Sequence, residues 1–263
     1  MFVKTIWKYF LIFIGLFLLT LNNPIIGQYP ELKKDTLKAL FVGNSFTYFY
    51  NLPQVLEAMS KSSKKFYIKT RHSLVGGSTL SQHLNQEKGT KTIDILNKES
   101  FDYVILNHHS LATIDGAKSF LDISKQIVEL VKAKNAIPVF MQTWAYKSKP
   151  LMINPIADAY QNMGKQLDVD IVPCGLLSSQ VRKLRPEINL FDDDDKHPSK
   201  NATYLNALAF FKYFTNEKTK NIPKRITTTD QDGQKLWLLF LSQQNADFLQ
   251  QLVDNYDFKT IIN

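Results

Sequence analysis

Ser45 stands just past a short apolar run, Leu37–Val42, and follows Gly43-Asn44. A serine placed there, after a glycine that permits a sharp bend, can turn its hydroxyl toward a cleft. The same residue can instead cap a helix starting near Leu52 or simply line the turn. Far along the chain, Asp192-Asp193-Asp194-Asp195-Lys196-His197-Pro198-Ser199 joins four carboxylates to a histidine. An acidic run can be a solvated loop, and four carboxylates could also serve a hard cation such as calcium. The order of residues also supplies a base and an orienter. His197 stands at the start of a helix, and Asp194, three residues earlier, can turn back to hold a ring nitrogen. Serine, histidine and carboxylate together make an activated nucleophile, which is recognised by role rather than by order.

The other reactive residue types offer less. His108-His109 invites a metal, but adjacent residues on an extended segment face opposite ways and no carboxylate lies nearby in sequence. His108 is expected to line the substrate cleft. His72 and His83 read as surface or structural residues. Cys174, the single cysteine, excludes an intramolecular disulfide and any multi-cysteine metal site. It falls in an apolar segment and reads as a small buried hydrophobe.

The elements that must position these groups alternate between two periodicities. Strands are expected at Leu37–Val42, Phe66–Leu74, Phe101–Leu106, Ile137–Met141 and Val169–Cys174. Helices are expected at Leu52–Ser63, Thr90–Ser100, Ala117–Lys134, Pro155–Leu167 and Ser199–Phe214, the last opened by Pro198. Two more helical stretches are expected after Asn221, at Gln231–Leu241 and Asn245–Tyr256. Short apolar strands separated by helices of ten or more residues require parallel pairing through crossovers, with helices on both faces. The fold class is therefore α/β, a three-layer α/β/α sandwich of about five parallel strands. Residues 28–221 form the core domain, and 222–263 a helical extension of it. Sites in such sheets form where strands give way to loops at their C-terminal ends.

Composition bounds the rest. A chain of 263 residues, 44% hydrophobic and 21% charged, is that of a globular protein. Lys4 and Lys8 precede an apolar run from Tyr9 to Leu21, too short to span a bilayer comfortably. Residues 1–27 read as a signal peptide with Gln28 as the mature start, an uncleaved anchor being the alternative. The protein is thus expected to be exported, with no stable membrane insertion after cleavage. Removing that segment deletes two lysines and no acids, taking the net charge from +8 to +6. The remaining basic residues are dispersed and not interleaved with aromatics, which speaks against a nucleic-acid partner.

The blocks Gly43-Asn44-Ser45-Phe46-Thr47, Gly76-Gly77-Ser78-Thr79-Leu80 and Asp194-x-x-His197-Pro198-Ser199 resemble those of the SGNH branch of the GDSL-type hydrolases, whose sheet is flavodoxin-like. The likeness is to a bacterial subfamily with a GNSxT nucleophile motif. Gln142-Thr143-Trp144 and Tyr204-Leu205 match its later features, so the resemblance spans residues 38–215 or so. It implies Ser45 as nucleophile and first oxyanion donor through its N–H, Gly77 as second donor, and Asp194 and His197 as the remaining triad members. The usual Gly-x-Asn-Asp block is absent. Asn107, in Leu106-Asn107-His108-His109, carries the required amide at the same strand end and takes the third donor's place.

The resemblance implies a serine esterase that needs no cofactor. The substrate would be a small-molecule or carbohydrate ester. Trp144 near a strand end could stack on a sugar ring and leans toward carbohydrate O-acetyl groups, although a core tryptophan fits as well. Two alternatives stay open: a binding protein that keeps the fold without turnover, and a lipase whose lid is the Leu236–Leu241 run.

Overall fold

The computed structural model describes residues 34–109 and 111–258; the expected signal segment, residues 1–27, lies outside the described residues. In chain order come β1 (Asp35–Gly43), α1 (Ser45–Tyr48), a 3-10 turn (Phe49–Asn51), α2 (Leu52–Ser60) and β2 (Phe66–Leu74). Next are α3 (Leu80–Leu84), α4 (Thr92–Lys98), β3 (Tyr103–Leu106), α5 (Ala112–Asp115), α6 (Ala117–Ala133) and β4 (Ile137–Met141). Then follow α7 (Ile153–Leu167), β5 (Asp170–Val172), α8 (Cys174–Leu184), α9 (Lys200–Thr215), β6 (Arg225–Thr229), β7 (Lys235–Phe240) and α10 (Gln243–Asn255).

β1 to β5 form one sheet in the order β2-β1-β3-β4-β5, and every pair is parallel. This is the flavodoxin-like order, which reverses direction between β1 and β3. Loops leaving those two strands diverge to opposite faces and open a crevice at their C-terminal ends. Gly43 and Leu106 are the last residues of the two strands, so Ser45 and Asn107 leave the sheet at that crevice. The three-layer expectation holds.

Period-two alternation in β1 sends Ala39 and Phe41 into one core and Leu40 and Val42 into the other. The first core is closed by α2, α8, α9 and α10, and the second by α3, α4, α6 and α7. Apolar runs without polar interruption follow from this two-sided burial. α9 is buried on nearly all sides, from Ala202 through Phe211, which makes it the central helix of its layer. Among the described residues no helix is long and apolar enough to cross a membrane.

The helix expected at Gln231–Leu241 is corrected. β6 and β7 pair antiparallel as a separate two-stranded sheet. The turn between them decides it: Asp230 accepts from the N–H groups of Asp232 and Gln234, and Gly233 takes φ +81°. With Ile226 and three threonines favouring extended backbone, the hairpin wins over the helix. The extension beyond residue 221 is therefore a hairpin followed by α10, not helical throughout. The chain after Pro173 forms α8, so Cys174 opens a helix and does not end the fifth strand as expected.

His108 gives the core an acid-sensitive point. Burial pushes its pKa down to about 3, and the charge of neighbouring His109 acts in the same direction. An unfolded imidazole titrates near 6.5, so below that pH the unfolded chain takes up a proton that the folded chain refuses. Stability is whole above about pH 6.5 and is lost as pH falls toward 3. Between pH 8 and pH 5 the loss is about 2 kcal/mol, roughly 4–8 °C in Tm for a domain of this size. His108→Gln should melt lower at pH 8 yet decline less toward pH 5. Identical declines in the two proteins would refute this origin.

Candidate active site

The sharp exit from β1 depends on Gly43 lying against Asn107. A Cβ on Gly43 would sit 2.8 Å from Asn107 Cβ, so any larger residue forces the two strand ends apart. Asn44 then caps α1, its Oδ1 accepting from Phe46 N while its Nδ2 donates to Ser78 O at 3.2 Å. Ser45 does not take the cap role considered for the helix at Leu52, whose N-cap is Asn51. Freed of it, the Ser45 hydroxyl meets His197 Nε2 at 2.8 Å.

His197 rides on a loop that is held at both ends. Asp192 N donates to His197 O, Ser199 N donates to Leu190 O, and Phe191 bridges to Pro198. The expected helix start shifts slightly: Ser199 is the N-cap, its Oγ accepting from Ala202 N, and α9 begins at Lys200. Asp194 turns back as its spacing suggested. Its Oδ2 lies 2.5 Å from His197 Nδ1, and its Oδ1 accepts from the N–H groups of His197 and Lys196 at 2.9 and 3.0 Å. Burial acts to raise the Asp194 pKa, but those bonds and the charge of the imidazole outweigh it and hold the carboxyl at about 2. An ionised Asp194 requires the hydrogen of a neutral imidazole to sit on Nδ1. Nε2 is then bare and can accept from Ser45.

The other aspartates serve the loop. Asp192 Oδ1 accepts from Asp193 N, and Asp195, at φ +61°, turns outward to pair with Lys147 Nζ at 3.0 Å.

Two expectations are corrected by burial. Trp144 is 3% exposed and stacked on Phe46 at 4.8 Å, so it presents no open ring face to a sugar. Its indole N–H donates to Lys196 O at 2.9 Å, which fixes the loop carrying His197. His108 is likewise 3% exposed, and its Nε2 meets Ser124 Oγ at 2.8 Å. Its ring packs on Phe120 and Phe140, in the core on the opposite sheet face from Phe46 and Trp144. It therefore does not line the cleft at Ser45.

Asn107 is 1% exposed at the end of β3, and neither atom of its amide has a hydrogen-bond partner among the described residues. Leaving both unmade costs about 1–3 kcal/mol per group. Gly77, at φ +61°, occupies the loop after β2. No protein acceptor takes the N–H of Ser45 or of Gly77 among the described residues.

Sequence reasoning missed Phe49. Its ring lies flat on His197, with centroids 4.1 Å apart and planes at 12°, while Phe46 meets the imidazole edge-on at 5.4 Å. An aromatic inside the first turn after a GNSxT block is the signal that could have pointed to it.

The sequence matches no known family model, and none of the curated proteins matches it. Solved structures do match. One is a protein from Slackia heliotrinireducens provisionally described as an SGNH hydrolase, 22% identical, with a TM-score of 0.60 over 70% of this chain and 100% of that one. The chain has the SGNH hydrolase fold. A DUF4886 family protein from Bacteroides uniformis is 20% identical, with a TM-score of 0.64 over 84% of this chain and 94% of that one. An acetyl-xylooligosaccharide esterase from Geobacillus is 14% identical, with a TM-score of 0.52 over 68% and 94%. In this SGNH fold Ser45, Gly77 and Asn107 all follow ends of neighbouring strands, on β1, β2 and β3.

Proposed function

We propose that the protein is an exported serine esterase acting on carboxylic esters, with O-acetyl groups on carbohydrate as the favoured substrate class. The observation that carries the proposal is the continuous relay from Ser45 Oγ through His197 to Asp194, at 2.8 and 2.5 Å. Neutral His197 takes the Ser45 proton as Oγ attacks the ester carbonyl, and the imidazolium that forms is stabilised by Asp194. The tetrahedral oxyanion is met by the N–H groups of Ser45 and Gly77 and by the Asn107 amide, whose unpartnered state supports that role. One such donor is worth about 2.7–4 kcal/mol of barrier. His197 then hands the proton to the departing alkoxide, leaving an acyl group on Ser45. Water, deprotonated by the same imidazole, releases the acid. The acetyl preference rests on the expected export and on the activity of the Geobacillus neighbour, since Trp144 no longer supports it. Export rests on the N-terminal sequence.

Labelling with a serine-directed fluorophosphonate, beside a panel of acetylated xylan, pectin and short and long p-nitrophenyl esters, tests the reading. Adduct at Ser45 with acetyl esters preferred supports it. A folded protein that neither labels nor turns over any ester is a binding module, and a preference for long chains makes it a lipase.

The pH profile has a stated shape. Asp194 stays ionised above about pH 3, given its pKa of about 2, so it adds no limb in the working range. The rate should climb with pH on the acid side of neutrality, because only a neutral imidazole can accept the Ser45 proton. A flat kcat/KM there, with acylation limiting, rules out His197 as base.

A further inference from the structure

A second histidine, His83 on α3, is wholly enclosed and lies outside the relay of His197. Its Nε2 is 2.9 Å from Gly43 O and 2.9 Å from Ser78 Oγ, and its Nδ1 is 2.7 Å from Thr92 Oγ1. Thr92 Oγ1 in turn shares a hydrogen bond with Ser73 Oγ at 3.0 Å, and Ser73 Oγ accepts from Lys91 N. A carbonyl cannot donate, so Nε2 carries the hydrogen and donates toward Gly43 O; the bare Nδ1 accepts from the Thr92 hydroxyl. Burial, the larger influence, pushes the His83 pKa below the ordinary histidine value despite the opposing bond to Gly43, which keeps this tautomer neutral.

The two groups gathered at Nε2 matter because of their neighbours. Gly43 O belongs to the peptide that leads into Asn44 and Ser45. It also accepts from Val75 N and Ser78 Oγ, at 3.1 and 2.9 Å. Ser78 directly follows Gly77, and its carbonyl accepts from Asn44 Nδ2. The loop holding the nucleophile and the loop holding the second oxyanion donor are thus pinned to one imidazole.

We infer that His83 is a positioning residue, which sets the Ser45 loop and the Gly77 loop in register through Gly43 O and Ser78 Oγ. It rests on the esterase reading above but acts through backbone placement, without touching substrate. A displacement of about 1 Å in such a constellation can cost a hundredfold in rate.

His83→Phe fills the space and removes all three polar contacts, whereas His83→Gln keeps an amide N–H able to reach Gly43 O. In variants that melt cooperatively above the assay temperature, His83→Phe should lower kcat at least about tenfold with KM within about threefold, and His83→Gln should recover most of it. Ser78→Ala, a smaller change, should lower kcat in the same way and stands in if His83→Phe does not fold. Hydrogen exchange of peptides covering 43–48 and 75–79 should quicken together in His83→Phe or Ser78→Ala, with β4 unchanged. Folded His83→Phe or Ser78→Ala protein with wild-type kcat and wild-type exchange overturns the inference, as do equal losses in the Phe and Gln variants. A wild-type protein without ester turnover sinks the esterase reading alone, because the coupled exchange of the two loops is measured without substrate.

Discussion

Ser45→Ala is expected to lower kcat/KM for any ester substrate by at least about three orders of magnitude while leaving the fold intact. Two energies separate the outcomes. The hydroxyl makes one hydrogen bond, to a partly exposed His197, and its loss costs about 1 kcal/mol of stability. The helix behind it is unaffected because Asn44, not Ser45, caps α1. Removing the nucleophile raises the barrier by more than about 4 kcal/mol, so activity and Tm must part company. Turnover measured on the variant and the wild type, with melting curves for both, decides it. A well-folded variant that keeps more than about a tenth of the activity would discard the serine mechanism.

The parts of the fold legible in sequence were those governed by short-range rules. β1, β3 and β4 carry apolar runs because a parallel sheet buries both faces. The bond between His197 and Asp194 was legible because it spans three residues and needs only one turn of loop. Its partner Ser45 lies 152 positions away and was reachable only through the rule that sites gather at strand ends. Contacts across the layers left no such trace. Trp144 reaches the Lys196 carbonyl over 52 residues, and neither residue type announces the other, so an apparent sugar platform proved to be a strut. His108 was misplaced because a strand end points equally to crevice and core, and the alternation that chooses between them ends with the strand. The hairpin at β6 and β7 was hidden by an apolar stretch that suits either period. Some of the rest was readable and overlooked. Thr79 and Gln82 form a capping box that opens α3, and that helix is what buries His83.

Asp194→Asn should lower kcat by roughly two to four orders of magnitude, while Asn at 192, 193 or 195 should change it less than about fivefold. Composition treats the four aspartates as equals, and geometry separates them. The Asp194 carboxylate takes three donors, two of them backbone N–H groups that an asparagine oxygen can still satisfy. The third is His197 Nδ1, and there the substitution bites: the amide Nδ2–H would face a ring nitrogen that must itself carry a hydrogen. Relief comes from moving the imidazole hydrogen to Nε2, and a protonated Nε2 cannot accept from Ser45. The loop keeps its shape and loses its base. The neighbouring carboxylates have no such lever on the ring. Asp195 points away to an exposed pair with Lys147, worth at most about 1 kcal/mol, and Asp192 binds the N–H of Asp193 within its own turn. Measuring kcat and Tm for the four single variants decides the matter. Small and equal effects would make the run a solvated loop. A dominant loss at Asp192 or Asp193 would move the orienter, and calcium-dependent activity erased only by combined substitutions would turn the loop into a cation site.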